Sequence, residues 1–222
     1  MNRASLLLIL ALSVSGRAAE KSEVVVDKDK RTVTIDAKVA PRKINDPAYM
    51  GKIYPIEVIA CWAYPKGQKA HETVVTIEAK PGEVHKALET LGLKPGKPVV
   101  GDVKEGAQGP AVNVYIEVPT STGTRRVPVE KVLIDPRSGK SMPKVKWIFT
   151  GSAMKKPDPQ KDEKVYGADL TGTLIAIFPV TDETVMQTSL TMKEEKYLKL
   201  ETDTKVLPKE GSPVKLVLEV AK

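Results

Sequence analysis

The sequence predicts an α+β protein: a mainly antiparallel β-sheet with one clear amphipathic helix, residues 81–91, packed on it. Two observations lead there. Seven segments carry the two-residue alternation or the Val, Ile and Thr enrichment of strands, while only one has the spacing of a helix with a single apolar stripe. The segments follow no regular strand-helix-strand order, which argues against a doubly wound parallel sheet.

The elements justify themselves in chain order. Arg3, an apolar stretch over 4–14 and the small residues around Ala18 have the order of a secretory signal, so residues 1–18 are expected to be a cleaved leader. Residues 19–222 are then expected to be a single globular domain in an extracytoplasmic compartment, periplasmic or secreted. The apolar stretch is too short to span a bilayer, and no transmembrane segment is expected. Residues 32–39 alternate, with Val33, Ile35, Ala37 and Val39 on one face. Residues 56–63 are apolar on both faces apart from Glu57, as in a strand covered on both sides. Further strands are expected at 73–79, 112–118, 145–149, 173–180 and 214–220. In the helix, Val84, Ala87, Leu88 and Leu91 share one stripe, Pro81 suits the first turn, and Gly92 with Pro95 supplies the stop. Its weak point is the N-cap, because Lys80 caps poorly. Residues 94–108 read as a loop with a short strand at 99–100, and a second short helix is expected over 182–187.

Composition narrows the partners. The chain carries a net charge of +7, two units of which reside on Arg3 and Arg17 in the expected leader. Opposite charges alternate along the rest, with no dense basic block and only 5% aromatic residues, so no nucleic-acid partner is expected. Cys61 is the only cysteine, so no internal disulfide can form and stability must come from packing.

The candidate site residues lie in one stretch. Residues 61–73 join two predicted strands through a loop containing Pro65 and Gly67, which reads as a β-hairpin. Symmetry about Lys66 would set Cys61 opposite His71, with Cβ atoms roughly 4.5 to 5.5 Å apart. Strand parity would turn His71 inward and Glu72 outward. His85, at the edge of the helical stripe, would then meet them. Such a cluster could make a thiol nucleophile with its base, or three ligands (Cys61, His71 and His85) for zinc or copper. The simpler reading is that these are packing residues and that no cofactor binds. Gly151-Ser152, after an apolar run, would place a hydroxyl at a strand end. The sequence has no phosphate-cradling glycine loop, no Cys-x-x-Cys, no His-Glu-x-x-His and no Gly-x-Ser-x-Gly.

Two separated patches carry distinctive motifs. The first holds Lys69-x-His71-Glu72-Thr73, then Pro81-x-x-x-His85-x-Ala87-Leu88, then Leu91-Gly92-x-x-Pro95-Gly96. The second runs from Trp147 through Ser152 and continues with Tyr166-Gly167-Ala168-Asp169 and Thr171-Gly172. Together the two patches resemble the bacterial YdjY-domain family; the resemblance covers about 53–190, leaving 19–50 and the C-terminal strand outside. It implies an exported domain containing His71, Glu72 and His85, makes His71 and His85 the first residues to test, and imports no reaction; Lys69 completes the candidate cluster and Cys61 lies at the margin of the match. The expected function is a noncatalytic envelope or accessory module that binds a partner protein or small ligand. The alternative is a metal- or thiol-dependent enzyme using Cys61, His71 and His85.

Overall fold

A computed structural model describes residues 24–221; the expected leader lies outside them. The chain opens with β1 (Val24–Asp27), β2 (Thr32–Val39), β3 (Val58–Trp62) and β4 (Thr73–Ile77). Helix α1 (Pro81–Thr90) precedes β5 (Ala111–Thr120) and β6 (Gly123–Pro128). Short strands follow: β7 (Leu133–Asp135), β8 (Lys140–Ser141), β9 (Trp147–Phe149), β10 (Met154–Lys155) and β11 (Val165–Tyr166). The chain ends with α2 (Ala168–Thr171), β12 (Thr173–Ala176), β13 (Met186–Thr188), α3 (Met192–Tyr197), β14 (Glu201–Thr202) and β15 (Pro213–Val220).

The expected open sheet is instead a closed β-barrel. Its strands run β2-β15-β5-β9-β13-β12-β3-β4, and β4 pairs back onto β2. Closure rests on three residue pairs, Ala37 with Ile77, Lys38 with Thr76 and Val39 with Val75. The same edge of β2 is completed towards its start by β1, and β6 similarly extends the edge of β5 that β9 leaves open. Closure removes the unpaired edges that a single sheet would expose. The alternation read in 32–39 places Val33, Ile35, Ala37 and Val39 in the core, where they join Leu216, Leu218, Val114 and Ile116.

Helix α1 forms where the stripe predicted it, burying Val84, Ala87 and Leu88. It contacts β1 and β2 on one side and α2 on another, and His85 packs on Phe149 of β9. Because β2 and β9 are three places apart in the ring, the helix spans the barrel rather than lying on one flat face. Lys80 indeed supplies no side-chain cap. Asp169 of α2 caps from a distance, its Oδ1 accepting the Gly82 N–H at 2.7 Å. A Cβ on Gly82 would lie 2.5 Å from Asp169 Oδ2, so glycine is what lets the carboxylate reach the helix end.

The proposed hairpin over 61–73 does not form. β3 and β4 are parallel, with Cys61 beside Thr76 and Trp62 beside Ile77. The intervening chain is held against α2 and the start of β12: Gln68 N–H donates to Thr171 O, and Trp62 N–H to Gly172 O. Gly67 packs so closely on the Trp62 carbonyl that a Cβ would lie 1.9 Å from it. The helix expected over 182–187 is also overturned, since Met186–Thr188 extend as β13 and pair with β9. Val99 joins no strand; its N–H and C=O bond the Gln187 side chain. No helix among the described residues is long and apolar enough to cross a membrane.

Candidate functional site

The loss of the hairpin separates the three proposed ligands. His71 lies in a 3₁₀ turn, Ala70–Glu72, ahead of β4, whereas Cys61 sits beside Thr76 near the strand's far end. The His71 ring lies against Tyr49, Tyr54 and Glu72, while the Cys61 thiol faces the Thr171 carbonyl. His85 shares no neighbour with either. Among the described residues no three His, Cys, Asp or Glu side chains are grouped to hold a metal ion.

Cys61 is fully buried, its Sγ 3.9 Å from the Thr171 carbonyl oxygen. Burial pushes its thiol up to about 11, the opposite of what a nucleophile needs. No histidine adjoins it to act as a base.

His85 anchors a polar clamp. Ser152 N–H donates to the Tyr166 hydroxyl at 3.0 Å, and that hydroxyl lies 2.7 Å from His85 Nδ1. The hydroxyl and Nδ1 share one hydrogen bond whose direction follows the imidazole tautomer, and Nε2 faces Glu89 Oε1 at 3.5 Å. Burial pushes the Tyr166 hydroxyl pKa well above its ordinary value, so the hydroxyl stays protonated. Ser152 Oγ accepts from Ala168 N–H at 2.9 Å and itself faces carbonyl oxygens of Ala153 and Asp182. It makes no hydrogen bond to His85, so the pair is not a nucleophile and base. Gly151, at φ +65°, leaves room for neighbours: a Cβ there would be 2.9 Å from Pro95 and 3.4 Å from the His85 ring. His85, Pro95, Gly151, Ser152, Tyr166 and Asp169, all within the patches of the resemblance, thus meet at one junction that ties α1 to the barrel.

Lys69, His71 and Glu72 build a different kind of place. The Lys69 ammonium lies 2.5 Å from Glu72 Oε1 and 3.6 Å from Glu57 Oε2. Burial works against the charge on Lys69, yet Glu72 and Glu57 outweigh it and raise its pKa. Burial and the nearby Glu72 raise the pKa of Glu57, against the pull of Lys69. Contrary to strand parity, Glu72 is the inner residue at 5% exposure and His71 lies at the surface side, because the 3₁₀ turn breaks the alternation. Burial, with the positive charge of Lys69, lowers the His71 pKa and keeps it neutral. Its Nε2 is 3.8 Å from Glu72 Oε2, and its Nδ1 is buried without a hydrogen-bond partner.

Tyrosines cover this cluster. Tyr49 and Tyr54 pack on the His71 ring at centroid distances of 4.6 and 4.9 Å, and Tyr64 meets Tyr49 edge-on at 5.7 Å. The loops are fastened down. Tyr64 hydroxyl donates to Asp46 at 2.5 Å, while Arg42 grips Glu201 through two bonds at 3.0 and 3.1 Å and donates to the Tyr54 carbonyl. Met50, Ile53 and Tyr64 stand out into solvent at 68%, 52% and 40% exposure. The sequence reading passed over Arg42, Tyr49 and Tyr54, and took Glu57 only as the polar exception in an apolar strand. A signal was present, since three of the chain's six tyrosines fall between positions 49 and 64.

A family model for the YdjY domain matches residues 24–219. Searches of curated proteins and of solved structures gave no significant match. The match is wider than the span of about 53–190 read from the motifs. It takes in β1, β2 and β15, without which the ring would stand open between β4 and β5. The chain belongs to the YdjY domain family.

Proposed function

We propose that this protein is an exported, noncatalytic module that binds a partner protein of the cell envelope through the tyrosine face around His71. One observation carries the reading: a patch of aromatic rings, held rigidly by Asp46 and Arg42, sits beside Met50, Ile53 and Tyr64, which project into solvent. Aromatic and Met side chains of this kind are enriched at protein interfaces, and rings already fixed in place lose little entropy on binding. Side chains that stand out from a surface suit a protein partner better than a small molecule, which a concavity must enclose. The noncatalytic part draws on the buried thiol and the fully engaged Ser152 hydroxyl. Export rests on the leader-like N-terminus. No observation favours the alternative enzyme, because Cys61, His71 and His85 stand apart.

The test places a photo-crosslinking side chain at Met50, or at exposed Lys140 as a control, in the full chain in its native cells. A discrete adduct from position 50 alone is expected. Its partner, once identified and purified, should bind the wild type and not Met50→Glu/Ile53→Glu. Identical adducts from both positions would overturn the interface. Stoichiometric zinc or copper in the purified protein, lost on His71→Ala or His85→Ala without unfolding, would overturn the noncatalytic reading. An intact Met1 in the native protein would overturn export.

A further inference from the structure

A cavity on the other side of the molecule has chemistry that nothing above uses. β5 pairs with β9 only at Ala111 and Val112 and with β6 only from Tyr115 onward, so the two neighbours part company at Asn113 and Val114. The gap opens a cavity of about 440 Å³, within the range of small-molecule sites. Glu130, on the 3₁₀ turn Val129–Val132, lines it and is only 9% exposed. One carboxylate oxygen accepts the Trp147 indole N–H at 2.8 Å. The other has no hydrogen-bond partner, and no cation lies within ion-pair distance of Glu130 among the described residues. Lys144 and Lys146 also line the cavity, both exposed and both without an ion-pair partner among those residues.

The second oxygen of Glu130 opens into the cavity, where a ligand cation would replace water with a charge-assisted bond. The two lysines impose the opposite demand on the part of the ligand that faces outward. We propose that this cavity binds a small zwitterion, which sets a guanidinium or ammonium against Glu130 and a carboxylate against Lys144 and Lys146. A basic amino acid has this chemistry, either free or as the C-terminal residue of a peptide. The site is independent of the tyrosine face.

Calorimetric titration of the full chain with four probes tests this: L-arginine, alanyl-L-arginine, agmatine (a guanidinium without a carboxylate) and acetate. Saturable binding of L-arginine or alanyl-L-arginine is expected, with agmatine weaker and acetate silent. Binding of both compounds supports a peptide C-terminus as the source; binding of L-arginine alone supports the free amino acid. Glu130→Gln, which keeps an acceptor for Trp147, should weaken arginine and agmatine alike by about tenfold or more. Lys144→Ala/Lys146→Ala should weaken arginine and spare agmatine. Should Glu130→Gln fail to fold, the lysine variant, altered only at exposed positions, carries the test alone. If neither guanidinium compound binds better than acetate, or if the lysine variant binds arginine as the wild type does, the proposal is wrong.

Discussion

Tyr166→Phe isolates one hydroxyl. The ring stays, so its edge contact with His85, at a centroid distance of 5.2 Å, is kept. Two hydrogen bonds go, the 2.7 Å contact to His85 Nδ1 and the 3.0 Å bond from Ser152 N–H. Each such bond contributes about 1 kcal/mol net, and leaving a buried partner unpaired adds to the loss. His85 retains 17% side-chain exposure, so water can reach part of the vacated site and soften that penalty. The expected cost is about 2 kcal/mol, which for a chain of this size lowers Tm by roughly 4–8 °C. Urea and thermal unfolding followed by far-ultraviolet circular dichroism measure it. His85→Ala costs ring packing on Phe149 as well, so the double variant is needed: the two losses should overlap by about 1 kcal/mol, because both delete the same bond. A loss under about 0.5 kcal/mol for Tyr166→Phe, or fully additive losses in the double variant, would refute the clamp.

Cys61 in the native protein should react with a thiol reagent at least about a hundredfold more slowly than in denaturant, since burial removes both access and thiolate; a native rate within about tenfold of the denatured one would contradict its burial. His71 has a folded pKa below its ordinary value of 6.5, so the stability it contributes is complete above pH 6.5 and is lost as pH falls through the lower folded value. Urea midpoints measured between about pH 8 and about pH 5 should therefore fall more steeply for the wild type than for His71→Gln, and parallel curves would count against a neutral, enclosed imidazole. Gly172→Ala forces a Cβ to within 2.6 Å of the Trp62 ring at φ +72°. Left-handed backbone and overpacking together should cost about 2–4 kcal/mol in denaturant unfolding, and a cost below about 1 kcal/mol would mean that Trp62 yields easily.

Local pattern made some of this legible. The alternation of 32–39 and the stripe of Val84, Ala87 and Leu88 are consequences of burying one face, and both elements stand where the pattern put them. Partnership was not legible. Pro65 and Gly67 between two apolar runs read as a hairpin turn, yet what sets β3 and β4 parallel is contact with Thr171 and Gly172, a hundred residues away in sequence. Barrel closure depends on the short seam between β2 and β4, for which no local residue is a marker. Residues 182–187 open with Asp182, Glu183 and Thr184, as a helix start can, but Met186–Thr188 are claimed by β9. At the site, the expected hairpin and helix edge brought His71 and His85 into one cluster. The structure gives them separate tasks because α1 carries His85 off to the Gly151 corner.

The placement of β15 governs how the protein can assemble. Leu216 pairs with Ile35 on one side and with Ile116 on the other, so this late segment is the keystone between the earliest and the middle strands. Within the barrel sheet, two hairpins among the described residues, β1 with β2 and β5 with β6, can pair early from contiguous chain. Until residues 213–220 arrive, β2 and β5 keep an open edge each, and the cost of bringing such distant segments together must be met at once. Folding should accordingly be slow and all-or-none, with no stable half-barrel on the way. Such a chain should stay without its native structure until its last strand is released, which leaves the partly made form open to proteases and chaperones.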